Sequence, residues 1–181
     1  MATALLVPAG ASACPCHEFC GQVVAHGSSL YGVPWRITAA TRHSATLGTS
    51  TAELSFSIHA CGEYSESGYS EGFRLPFTRA PFLTAGTGTD IDSFPEGDLS
   101  GVTSREIASL KLKMSDGGTL SVHPRSAPHR LWRTLPWLRD LRFFDEYFPA
   151  GVKPREVVVL DRAGRVLARC RSKRGSFTWA G

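Results

Sequence analysis

The clearest signal along the chain is a period of two. The stretch "ELSFSIHA" sets Leu54, Phe56, Ile58 and Ala60 on one side and Glu53, Ser55, Ser57 and His59 on the other. That is the pattern of a strand with one face buried and one face wet. "IASLKLKM" repeats it, with Ala108, Leu110, Leu112 and Met114 opposed to Lys111 and Lys113. "SDGG" and then "TLSV" follow, and Asp116-Gly117 suits the positive φ angles of a tight turn. Residues 106–123 therefore read as an antiparallel hairpin. "REVVVLDRAGRVLARC" reads as a second hairpin: Val157 to Leu160 is an apolar, β-branched run, "DRAG" turns, and Val166 to Cys170 returns. Shorter strand signals lie at residues 22–26, 35–41, 69–75 and 99–103. Short strands separated by turn residues, with few helical stretches and no fixed repeat, predict an all-β fold. The expected form is an antiparallel two-sheet sandwich of immunoglobulin or fibronectin type.

One segment breaks the period. Residues 124–142, "PRSAPHRLWRTLPWLRDLR", carry five arginines, two tryptophans and three prolines. Leu131, Leu135, Leu138 and Arg142 fall near one helical stripe, but Pro136 interrupts any long helix. The expectation is a long Arg/Trp-rich loop with one short helical turn, inserted between strands. Arginine offers planar forks for phosphate or carboxylate, and tryptophan offers a flat face. Arg130, Trp132, Arg133, Trp137, Arg139 and Arg142 are therefore the candidate partner-binding residues. The competing expectation is that both tryptophans cap the core while the arginines reach out to water.

Size and composition fit one folded unit. The chain has 181 residues, 42% hydrophobic and 20% charged, with 18 glycines and 11 prolines that suit a turn-rich fold. The expected layout is an N-terminal segment over residues 1–20, a single β-sandwich domain over 21–171, and a basic C-terminal tail over 172–181. Charge changes the picture more than composition does. Residues 1–104 hold four Lys+Arg against nine Asp+Glu, whereas residues 105–181 hold sixteen against seven. A basic rear half can orient the protein on an anionic partner, nucleic acid included, although no nucleic-acid-binding motif accompanies the charge. No apolar run is long enough to cross a bilayer as a helix.

The N-terminus reads as the remnant of an export signal. "MATALLVPAGASA" has an apolar middle and ends in the small-x-small pattern Ala11-Ser12-Ala13, without a basic start. Export would permit disulfides among the cysteines, which are Cys14, Cys16, Cys20, Cys61 and Cys170. Cys16 or Cys20 paired with Cys61 is the favoured bridge. It would close a loop of about forty residues, for roughly 3–4 kcal/mol in the loop-entropy picture. Cys14, Cys16, His17 and Cys20, with His59 and Cys61 behind them, also have zinc-ligand chemistry, but the spacing matches no structural zinc pattern. A haem site needs C-x-x-C-H, and the sequence has C-x-C-H. A Cys–His nucleophile at His59 and Cys61 has no evident orienting acid. Asp90, Asp92, Glu96 and Asp98 lack the Gly-centred pattern of a calcium loop. No metal and no cofactor is expected, and no enzyme activity.

The stretches "GVTSREIASLKLKMSDGGTLSV" and "FFDEYFPAGVKPREVVVLDRAGRVLA" resemble small immunoglobulin-like β-sandwich domains of actinobacterial exported and envelope proteins. The resemblance covers residues 99–171. It rests on Val102, Leu110, Leu112, Asp116, Gly117, Thr119, Phe143, Phe144, Pro149, Gly151, Pro154, Val157, Asp161, Gly164 and Leu167. These are turn and core positions, so the resemblance implies a fold and no catalytic residues. The expected protein is a non-catalytic structural or binding module, extracellular or envelope-associated. Its partner would be a protein or an anionic surface. An intracellular module that binds an anionic partner through the basic C-terminal half is the alternative.

Overall fold

The computed structural model describes residues 22–28, 30, 34–44, 49–58, 68–74, 81–87, 96–173 and 175–181. Thirteen strands are present among them: β1 (Gln22–Ser28), β2 (Pro34–Ser44), β3 (Thr49–Ile58), β4 (Gly68–Arg74), β5 (Phe82–Gly86), β6 (Glu96–Ser104), β7 (Ser109–Met114), β8 (Thr119–Val122), β9 (Arg125–Ser126), β10 (Leu141–Pro149), β11 (Pro154–Leu160), β12 (Val166–Arg171) and β13 (Ser176–Ala180). Two 3₁₀ turns, His129–Arg133 and Pro136–Asp140, lie between β9 and β10, and the described residues hold no α-helix. The fold is all-β, with every strand pair antiparallel.

The strands form three sheets where the alternation pattern predicted two. An N-terminal sheet runs β1-β2-β3-β4, a central sheet runs β13-β5-β6-β10-β9, and a third runs β12-β11-β7-β8. The third is made of the two hairpins read from the sequence, and is called the hairpin sheet below. The extra layer explains itself in β10, "LRFFDEYFP", which does not alternate. Leu141 and Phe143 join Val102 against the N-terminal sheet, where Ile37, Ala39, Ala52 and Leu54 are buried. Phe144 and Phe148 join Leu83, Leu99 and Phe177 against Leu110, Leu112, Val157 and Val159 of the hairpin sheet. A strand buried on both faces reads as a continuous apolar run, so period two fails there for a physical reason.

Glycines let the central sheet close. Phe144 stands opposite Gly101 and Phe148 opposite Gly97 across the β6–β10 ladder. A Cβ on Gly101 would fall 2.6 Å from the Phe144 ring and 2.7 Å from the Thr84 carbonyl oxygen, so the ring lies flat only because that position has no side chain. Residues 172–181, read from sequence as a basic tail, contain β13. That strand pairs with β5 and buries Phe177 completely.

The two hairpin turns use the chemistry the sequence advertises. Gly117 has φ 91° and Gly164 has φ 75°. The Asp116 carboxylate accepts the Gly118 N–H at 2.8 Å. Asp161 accepts the Ala163 and Arg165 N–H groups, both at 2.9 Å, and the Arg165 Nε–H at 2.7 Å. These donors hold the Asp161 carboxyl below its ordinary range, chiefly the Arg165 backbone N–H.

Candidate binding surfaces

The Arg/Trp segment is packed rather than looped out. Its two 3₁₀ turns bury Leu131, Leu135, Trp137 and Leu138 against the N-terminal sheet. The Trp137 indole N–H donates to the Thr41 hydroxyl at 3.0 Å, which satisfies its one polar group in the core. Trp132 is half-buried, packs on the same cluster, and lies 4.0 Å from the His129 ring, centroid to centroid. Trp137 is buried, and Trp132 keeps part of its surface exposed. Thr134 caps the first turn by donating its hydroxyl to the Leu131 carbonyl at 3.1 Å.

The arginines of that segment divide. Arg130 and Arg133 are exposed and three residues apart in a 3₁₀ turn, so they stand above one another on one side. Arg139 is exposed beside Asp140, at 3.7 Å, and Asp140 also meets Arg105 at 3.4 Å. Arg142 is half-buried and donates to the Ile107 carbonyl at 3.3 Å, so it ties β10 to the loop before β7. Of the six residues singled out from sequence, Arg130, Arg133 and Arg139 are thus presented to water.

A second basic surface arises on the outer face of the hairpin sheet. Strand alternation turns Leu110, Leu112, Val157 and Val159 inward and leaves Lys111, Lys113, Glu156 and Val158 on the other side. Register then sets cations on either side of β11. Val158 lies between Lys111 and Arg169, and Glu156 between Lys113 and Arg171. Val158 is only 5% exposed although it sits on the outer face, flanked across the ladder by Lys111 and Arg169. Glu156 takes the Lys113 ammonium at 2.8 Å and the Arg169 guanidinium at 3.1 Å. Its carboxyl is held below the ordinary value, first by the hydrogen bond from Lys113. One carboxylate thus stands among Lys111, Lys113, Arg169 and Arg171, all exposed.

This face ends in a cleft of about 460 Å³, lined by Lys113, Met114, Gly117, Gly118, Thr119, Arg155, Glu156 and Arg171. The β7–β11 register slips between Pro154 and Glu156, which leaves Arg155 as the extra residue of a bulge. Bulges re-aim side chains, and this one brings Arg155 to the cleft beside Arg171. The outward lysines at 111 and 113 were legible in the sequence. Arg155 was not, because nothing local announces a bulge.

A third polar group is half-buried. On the central sheet, Ser100 donates to Asp145 at 2.9 Å or to Asp98 at 3.1 Å, and Tyr147 donates to Asp145 at 3.0 Å. Burial, reinforced by the neighbouring Asp98 charge, raises the Asp145 carboxyl to about 7. A carboxyl so raised carries a proton over much of the acidic range.

The cysteine and metal expectations fall mostly elsewhere. Cys16, Cys20 and Cys61, the disulfide candidates, lie outside the described residues, as do Cys14, His17, His59, Asp90 and Asp92. Cys170 is a free thiol buried in the core between the central and hairpin sheets, and burial pushes its pKa up. A thiol of that kind is a packing residue and a poor nucleophile. Among the described residues no three His, Cys, Asp or Glu side chains converge as a metal site. No described helix is long and apolar enough to cross a membrane.

Comparison with known proteins returned no matching family model, no matching curated protein and no matching solved structure.

Proposed function

We propose that this protein is a non-catalytic β-sheet module that binds a polyanionic partner across the outer face of the hairpin sheet. The observation that carries the reading is the registered array of Lys111, Lys113, Arg169 and Arg171 around the single carboxylate of Glu156. The two pairs of cations flank β11 at two strand spacings, about 10 Å apart, so their charges add into one field across the face. The exposed part of this face bears no aromatic ring, which favours recognition of a charged backbone over stacking on bases. Arg130 and Arg133 extend the basic character of the C-terminal half without joining that array.

The finer fold assignment belongs with this reading. The central and hairpin sheets share one core and span the residues that resemble immunoglobulin-like domains of exported proteins. That supports an immunoglobulin-like sandwich for this pair of sheets, with the N-terminal sheet as an added layer, and an envelope or extracellular setting.

The test is retention on immobilised heparin with a salt gradient, together with affinity measured as a function of salt. Binding through this face predicts a linear fall of log affinity with log salt, the slope dropping by roughly 1 to 2 in Lys111→Gln/Arg169→Gln. Retention unchanged in that double variant would overturn the assignment.

A further inference from the structure

We propose that the cleft at the turn end of the hairpin sheet is a site for a tetrahedral dianion, the terminal phosphate of a phosphomonoester, gripped by Arg155, Arg171 and Lys113. The inference rests on the polyanion reading for its biological setting, but its geometry is separate. The face as a whole offers a spread field, whereas the cleft gathers three cations on the walls of one half-open space of about 460 Å³.

The charge inside the cleft is uneven in a useful way. Glu156 is the one carboxylate on its walls, and it is already engaged by Lys113 at 2.8 Å and by Arg169 at 3.1 Å. Arg155 and Arg171 make no side-chain ion pair with any described residue, and both are exposed. Two guanidinium forks are therefore free to take paired oxygens. That geometry suits phosphate, and a lone ammonium would not match it. Three cations against one carboxylate leave a surplus that a dianion balances better than a monoanion.

The backbone makes room. Gly117 sits at φ 91°, a conformation that side-chain-bearing residues rarely adopt, and nothing lies within 4 Å of where its Cβ would be. Gly118 is clamped by the Asp116 carboxylate, which turns that anion onto the loop's own N–H at 2.8 Å. Thr119 adds a hydroxyl at the cleft wall. The bulge at Arg155 is what separates this site from an ordinary hairpin end. In an unbroken ladder that position would alternate away from Lys113 and Glu156.

The experiment is an amide-resolved NMR titration of the full chain with inorganic phosphate at pH 8, at constant ionic strength held with chloride. Saturable shifts are expected at Gly117, Gly118, Thr119, Arg155 and Arg171. Arg155→Gln and Arg171→Gln should each weaken binding by about tenfold, the effect of losing one charge-assisted contact. Glu156→Gln should strengthen it, and Lys111→Gln should leave it unchanged. At pH 5.5, where phosphate is mostly a monoanion, binding should weaken, while sulfate binding stays level. Shifts that do not saturate, or arginine variants that titrate like the parent, overturn the proposal. Heparin retention lost in Lys111→Gln/Arg169→Gln alongside a failed phosphate titration would sink the cleft and leave the polyanion face standing. Saturable phosphate binding without heparin retention would do the reverse.

Discussion

The Arg/Trp segment and the hairpin sheet are both rich in arginine, yet they use it in opposite ways. In the segment, the apolar residues do the holding: Leu131, Leu135, Trp137 and Leu138 go into the core and the arginines scatter around them. Arg142 spends a donor on a backbone carbonyl, and Arg139 stands beside Asp140. In the hairpin sheet, pleat and register do the holding, and the cations line up on one face on either side of β11. Residue type is the same in both places. What differs is the periodicity of the backbone that carries it. A 3₁₀ turn points successive side chains around an axis, while a strand returns to the same face every second residue.

That contrast can be broken at its anchor. Trp137→Ala should cost about 3–5 kcal/mol of stability by denaturant unfolding, because it empties a core site and strands the Thr41 hydroxyl. A loss under about 1 kcal/mol would mean the segment is a loosely attached loop after all. Gly101→Val should cost about 1–3 kcal/mol by crowding Phe144, with no effect on the basic face.

The acids sharpen the same contrast between buried and exposed placement. Asp145 is raised to about 7 by burial and by Asp98, so the folded state holds a proton that the unfolded chain releases near the ordinary value of 3.8. Its contribution to stability is therefore fully present below about pH 4 and is lost as pH rises through about 7. Asp145→Asn should flatten that slope and stabilise the protein at pH 8 by roughly 1–3 kcal/mol. Glu156, lowered by its cations, runs the other way, its contribution being lost as the medium is acidified. Chemical denaturation of the parent and of Asp145→Asn across pH 4 to 8 reads the Asp145 effect, and a parent with no slope over that range would remove the Asp145 account. The smallest effect is expected at the rim. Arg105→Ala breaks an exposed pair with Asp140 at 3.4 Å and should shift stability by no more than about 0.5 kcal/mol.

Much of this was written in local pattern. The hairpins around Gly117 and Gly164, the outward lysines at 111 and 113, and the all-β class follow from alternation and turn chemistry alone, since both act over a few residues. The tail was harder to read. Phe177 and Trp179 alternate with Ser176, Thr178 and Ala180, but the signal is only five residues long and follows a basic run. It became a strand because β5 offered it an open edge.

Sequence by itself therefore determined the two hairpins, where they turn, and which face of them carries Lys111 and Lys113, because each depends on neighbours in the chain. Tertiary structure alone decided the number of layers and the fate of the tryptophans. It also decided the meeting of Arg155 with Arg171. Those depend on what lies opposite: a second sheet that buries the other face of β10, a core that takes in Trp137, and a partner strand whose register forces the bulge.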